Sequence, residues 1–180
     1  MGRELTPAEL LVMGLLCERP RHGYDLDQVI AARGMREWTP IAFSSLYYLL
    51  RKLETDGLIT PVGPGDQRRR VYTPTSTGRQ LTAEATRSAL ATLSPPHPPV
   101  LIGLANAPML EPAATVAALH ARSRAITAEL DRLTAHRDQQ AAGAPPAVAA
   151  LFDYALAMLD AEHGWVRRTV ESLEAPDVQN

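Results

Sequence analysis

Four prolines within five residues, Pro95-Pro96-His97-Pro98-Pro99, bar any helix or strand from running through the middle of this 180-residue chain. Each proline lacks a backbone donor and clashes with the preceding helical turn. The run and Ser94 therefore read as a linker over 94–99, dividing a unit at 1–93 from one at 100–175, with a tail at 176–180. Two small domains fit this length.

Hydrophobic periodicity differs on the two sides. Thr6-Pro7-Ala8-Glu9 is a capping box with proline at the first helical position, and it opens a helix carrying Leu10, Met13 and Leu16. A second helix starts near His22-Gly23-Tyr24 and ends near Gly34. In the third, Leu46, Leu49, Leu50 and Leu53 recur at i, i+3, i+4 and i+7, and Gly57 follows where a left-handed cap is expected. The period then shortens: Leu58 to Val62 reads as a strand, Gly63-Pro64-Gly65-Asp66 as a turn and Arg69 to Thr73 as a returning strand. Three helices and a hairpin are the order of a winged helix-turn-helix. A fourth helix from Thr75 or Ser76 carries Leu81, Ala85, Leu90 and Leu93.

Beyond the linker the pattern is helical. A short apolar segment, Val100 to Leu104, precedes a long helix from about Pro112 to Gln140. Its seam is Val116, Leu119, Ser123, Ile126, Leu130 and Leu133. Fewer than three heptads suit packing on another helix better than an autonomous coiled coil. After a turn at Ala142 to Pro146, a last helix carries Val148, Leu151, Ala155, Met158 or Leu159, Glu162, Trp165 or Val166, and Leu173. Such a helical hairpin has more apolar surface than it can hide alone, which points to dimerisation through Val116, Leu119, Ile126, Leu130, Leu133, Leu151, Met158 and Trp165. The fold class is thus mainly α with a small β-hairpin: a winged helix-turn-helix followed by an α-helical dimerisation domain.

Composition narrows the function. Hydrophobic residues make up 46% and charged residues 21%, as in folded soluble proteins. No apolar run reaches the ~20 residues of a membrane span, and the N-terminus reads as a folded helix rather than a secretory signal. The single cysteine, Cys17, excludes an intrachain disulfide and fits a reducing cytoplasm. It reads as a buried small hydrophobe or, less simply, as a redox sensor. The histidines lack metal-ligand spacing, and there is no nucleophile elbow, phosphate-cradling glycine loop or paired-carboxylate signature. No enzyme, cofactor or metal is expected. The net charge of -2 hides an asymmetry: residues 1–93 hold 12 Lys/Arg against 10 Asp/Glu, and residues 94–180 hold 6 against 10. The first half is the side that suits an anionic partner.

Opposite the leucines of the third helix lie Ser44, Tyr48, Arg51 and Thr55, flanked by Ser45, Tyr47 and Lys52. In a major groove, Ser44, Ser45 and Tyr48 would meet bases, while Arg51 and Lys52 suit phosphates. Tyr47 either reaches a base or the backbone, or lies against the hairpin as core. The whole face could also be solvated. Arg68, Arg69 and Arg70 suit a minor groove or flanking phosphates, or they keep an edge strand from aggregating. His22 and Tyr24 open the second helix, whose amides can receive a phosphate; His22 is equally a cap or turn residue. Trp38 reads as an anchor of the loop before the third helix. Trp165 reads as interface packing or as the wall of a pocket for a small aromatic effector.

The sequence resembles the PadR family of bacterial transcriptional regulators. The matching segments are His22-Gly23-Tyr24-Asp25-Leu26, Ser45-Leu46-Tyr47, Leu50-Arg51-Lys52-Leu53-Glu54, Asp56-Gly57-Leu58-Ile59, Arg70-Val71-Tyr72 and Thr75-Ser76-Thr77-Gly78-Arg79. They span nearly all of residues 8–93. Phe152-Asp153-Tyr154-Ala155-Leu156 and Ala161-Glu162-His163-Gly164-Trp165 are similar to the C-terminal domain of the virulence-activator-like subfamily. The tip Gly65-Asp66-Gln67-Arg68-Arg69-Arg70 departs from the family's common wing. The resemblance implies a homodimer on double-stranded, palindromic operator DNA, usually repressing and often released by a small ligand. The alternatives are a winged-helix protein-interaction module and a small-molecule-binding protein without coupled DNA regulation.

Overall fold

The computed structural model describes residues 3–37, 39, 43–63, 70–95, 97–140 and 146–175. Two compact units divide at Ser94 and Pro95.

In the first unit, helix α1 (Pro7–Glu18) is followed by α2 (Gly23–Ala32) and α3 (Phe43–Thr55). The capping box of α1 is complete. The Glu9 amide donates to Thr6 Oγ1 at 3.3 Å, and the Thr6 amide donates to Glu9 Oε2 at 2.9 Å. Helix α3 ends in a Schellman motif, with Gly57 at φ +68° as the left-handed residue. The Leu58 amide donates to the Leu53 carbonyl and the Gly57 amide to that of Glu54. Strands β1 (Ile59–Val62) and β2 (Val71–Pro74) pair antiparallel, with Pro61 opposite Tyr72. Helix α4 (Ser76–Ala91) starts from Thr75, whose Oγ1 accepts the Gly78 amide.

The α3 stripe packs as its spacing predicts. Leu46, Leu49, Leu50 and Leu53 join Val12, Met13, Leu15, Leu16, Leu26, Ile30, Leu58, Ile59 and Tyr72 in one core. Each fully buried leucine contributes roughly 1.5–3 kcal/mol. Two expectations fail here. Cys17 is exposed, because it lies on the side of α1 turned away from the leucine core, near Arg79 and Thr82 of α4. Of the residues expected on the fourth helix, Leu81 packs against the core, Leu90 is 85% exposed, and Leu93, 86% exposed, lies past the helix end at Ala91. The physical reason is reach, since α4 runs past the end of the core.

A two-stranded hairpin alone is marginal in water. This one is rooted by a third backbone pairing. The Arg21 amide donates to the Tyr72 carbonyl and the Tyr72 amide donates to that of Arg21. The buried Arg21 guanidinium binds the Leu15 carbonyl, Glu18 and Asp25.

The second unit comprises α5 (Pro99–Ala105), a 3-10 turn at Ala107–Met109, and the long helices α6 (Pro112–Gln140) and α7 (Pro146–Glu174). The α6 seam closes on α7: Leu119 and Ile126 pack with Val166 and Val170, bordered by Val116, Leu130, Leu159 and Trp165. Leu119, Ile126 and Leu133 are buried within one chain, so they have no surface left for the dimer contact expected of them. On α7 the apolar stripe stands one residue later than Leu151 suggests. Phe152 is 1% exposed and edge-on to His136, while Leu151 and Met158 are 44% and 45% exposed. One residue turns a helix by about 100°, enough to move a side chain off the packed face. Ser123, the polar member of the seam, meets His163 Nε2 at 2.9 Å, and Arg122 pairs with Glu162. The turn expected at Ala142 to Pro146 falls almost wholly outside the described residues, as do the wing turn after Gly63, Trp38 and the tail.

Candidate nucleic-acid interface

Burying the leucines of α3 turns Ser45, Tyr48, Arg51 and Lys52 outward. Tyr48 is 67% exposed, and Arg51 makes no ion pair or hydrogen bond with another described residue. Nothing is described of the Ser44 side chain. Tyr47 is half-buried. A Cβ on Gly23 would lie 2.8 Å from Tyr47 Cε1, so this ring packs against the start of α2. Gly23 is the residue that lets α2 approach so closely.

The other candidates divide by partner. Lys52 Nζ lies 2.9 Å from Glu9 Oε1. That carboxylate, only 1% exposed, also binds the Thr6 amide and Arg3, and Arg3 reaches Asp56 at 2.8 Å. Burial alone would raise the Glu9 carboxyl, but Lys52, Thr6 and Arg3 together hold it below its ordinary value. The same pair raises Lys52. Lys52 thus ties α3 to the N-terminus of α1 as well as facing outward.

Arg70 is engaged in the same way. Its Nη1 donates to Glu54 Oε1 at 3.0 Å, and the Tyr72 hydroxyl donates to Glu54 Oε2 at 3.2 Å. Burial and Glu54 both raise the Tyr72 phenol. The guanidinium is therefore engaged at the end of α3. Arg68 and Arg69 lie outside the described residues.

His22 is the N-cap of α2, with Nδ1 accepting the Asp25 amide at 3.0 Å, as the cap reading has it. Tyr24 is exposed and accepts a hydrogen bond from Gln28. Arg19, Arg21 and Arg33 all pair with Glu18 or Asp25. Arg33, ahead of the opposing burial, and Arg21 hold the Glu18 carboxyl below its usual range.

Glu9 and Glu54 are the residues that sequence reasoning missed. The capping box marked Glu9, but only tertiary structure brings Lys52 to it. In the second unit, a groove of about 680 Å³ runs between α6 and α7, walled by Leu130, Leu156 and four aspartates, Asp131, Asp138, Asp153 and Asp160. Trp165 does not line it and packs beside Val166 and Val170 instead. Among the described residues there is no metal-binding cluster and no helix long and apolar enough to cross a membrane.

Three helices with a rooted two-stranded wing, presenting an outward third helix, define a winged-helix unit; a helical hairpin forms the second. Residues 12–84 match the model of the Transcriptional regulator PadR-like family. The first unit is a domain of that family of transcriptional regulators. Comparison with the curated proteins returns no match. Among solved structures, the chain is similar to Bacillus subtilis PadR in complex with operator DNA, at TM-score 0.73 and 17% identity over 94% of this chain and 100% of that one. It is similar to the same protein in complex with p-coumaric acid, at TM-score 0.75 and 18% identity over 92% and 98%. A PadR-like transcriptional regulator from Bacillus cereus matches at TM-score 0.68 and 18% identity over 94% and 99%. At these identities the likeness establishes the fold.

Proposed function

We propose that this chain is a sequence-specific DNA-binding regulator of transcription, acting in the cytoplasm as a homodimeric, ligand-responsive repressor on a palindromic operator. The single observation that carries the reading is the outer face of α3 in a PadR-like domain. Ser45, Tyr48 and Arg51 stand outward there without a structural task, on a helix whose other face is fully used. A major groove admits such a helix; Ser45 and Tyr48 would meet base edges and Arg51 a phosphate. Ser44 joins the base-reading set by its place in sequence, and Arg68 and Arg69 the flanking contacts. Tyr24, exposed at the start of α2, would join the phosphate contacts.

Residues 1–93 would bind DNA, 94–99 link, and 100–175 hold two copies at a fixed separation. The exposed face of α7, with Leu151, Tyr154 and Met158, is apolar surface for that contact. Ligand response comes from likeness to a protein solved both with operator DNA and with p-coumaric acid. Trp165 is the aromatic residue offered to an effector.

A mobility-shift assay on the region upstream of the protein's own gene, repeated across salt concentrations, tests the reading. Affinity should fall steeply as salt rises. Tyr48→Ala should weaken operator binding by about 1–3 kcal/mol and binding to random DNA much less. Absence of binding on every genomic fragment, or binding indifferent to salt, refutes it.

A further inference from the structure

On α3 and the described part of the wing, the cations are Arg51, Lys52 and Arg70. Lys52 is paired with Glu9 and Arg70 with Glu54, leaving Arg51 as the one without a partner among the described residues. A domain meant to meet phosphate has thus engaged part of its positive charge internally. Glu54 also sits in the last turn of α3, where the helix dipole disfavours a carboxylate. Both of its oxygens are occupied, one by Arg70 and the other by the Tyr72 hydroxyl.

The pair is not needed to root the wing. The Arg21–Tyr72 backbone pairing and the β1–β2 register already fix the foot of the hairpin. What the pair does change is the number of cations offered to phosphate. Binding to unrelated DNA depends almost entirely on that number, whereas recognition of an operator also draws on base contacts. Taking one cation away therefore weakens binding to any sequence, operator or random, by about the same factor and leaves the base readers of α3 untouched.

We propose that Glu54 holds Arg70 away from phosphate and so limits the sequence-independent part of DNA binding. The proposal rests on the DNA-binding reading above. With Glu54→Gln, the amide oxygen still accepts from Tyr72, but the ion pair is lost and Arg70 is released. One additional phosphate contact steepens the fall of log K with log salt by about 0.9, which is roughly a fivefold gain on random DNA at about 0.15 M salt. Operator DNA gains by about the same factor, so the ratio of operator to random affinity stays unchanged.

The test measures wild type, Glu54→Gln and the double variant Glu54→Gln/Arg70→Gln on an operator fragment and a random fragment, each over a salt series. The expected result is a steeper slope for Glu54→Gln on random DNA and a return to the wild-type slope in the double variant. A Glu54→Gln slope equal to wild type overturns the proposal. So does a double-variant slope about 0.9 shallower than wild type, because Arg70 would then already be on phosphate. If Glu54→Gln fails to fold by circular dichroism, Arg70→Gln alone decides. An unchanged slope on random DNA supports the proposal, and a slope shallower by about 0.9 overturns it. Wild type that binds no fragment overturns the DNA-binding reading itself, and this proposal with it.

Discussion

Replacing Gly78 with alanine should unfasten α4 from the foot of the wing. A Cβ at this position would stand 2.0 Å from the Leu58 carbonyl oxygen and 3.0 Å from Met13 Cε. The obstacle is backbone, so no rotamer relieves it, and α4 and β1 must separate by about 1.4 Å to reach the 3.4 Å of ordinary contact. The Leu58 carbonyl also accepts from the Thr75 amide at 3.0 Å and from Thr75 Oγ1 at 3.2 Å, and neither bond survives that movement. Two lost hydrogen bonds cost about 2 kcal/mol. Overpacking adds ~1–3 kcal/mol, and the better helix propensity of alanine returns about 1 kcal/mol. The net loss is about 2–4 kcal/mol. Gly14→Ala supplies the contrast. Gly14 lies inside α1 with nothing within 4 Å of an added Cβ, so alanine there should stabilise by up to ~1 kcal/mol. Urea unfolding followed by circular dichroism at fixed protein concentration measures both. With m of about 2 kcal/mol/M, Gly78→Ala lowers the midpoint by about 1 M or more. A Gly78→Ala variant as stable as wild type, or one that shifts the same way as Gly14→Ala, refutes the close-approach reasoning.

Two further outcomes are expected. Glu9→Gln should lower stability near neutral pH by ~1–2 kcal/mol, less than a fully buried pair because Lys52 is 42% exposed. Since the folded state holds the Glu9 carboxyl below its ordinary value, its contribution is present above the unfolded value of about 4.3 and is lost as pH falls through the folded one. Unfolding measured from pH 7 to 3 should therefore show the two proteins converging in acid, and a constant gap would contradict the assignment. On α7, Phe152→Ala should cost ~3–5 kcal/mol. A loss under about 1 kcal/mol in melting experiments would mean the packed stripe has been placed on the wrong face.

The local rules of the chain were legible before any tertiary contact. Thr6 and Glu9 announce the start of α1, the leucines at 46, 49, 50 and 53 define one face of α3, and Gly57 marks its end. Each depends on residues within a few positions of one another. The misjudged features depend on distance in sequence. Leu151 and Phe152 are both apolar neighbours, and only the geometry of α6 decides which is buried. Leu90 and Leu93 have the spacing of a core stripe but lie beyond the core they would join. Lys52 and Arg70 looked like free cations because their carboxylates, Glu9 and Glu54, are 43 and 16 residues away along the chain. The seam of α6 was correctly read as a helix-packing surface, yet periodicity does not say whether the partner helix belongs to the same copy.

The mutual backbone pairing of Arg21 and Tyr72 bears on how such a protein can diverge. Register is decided at the foot of the hairpin, where β2 meets both β1 and the α1–α2 corner. Changes in length or charge between Gly63 and Arg70 therefore leave the alignment of Pro61 with Tyr72 to be set by anchors outside the altered stretch. A lineage can try one tip after another, and each trial is judged on what it recognises, without first having to solve the folding problem again.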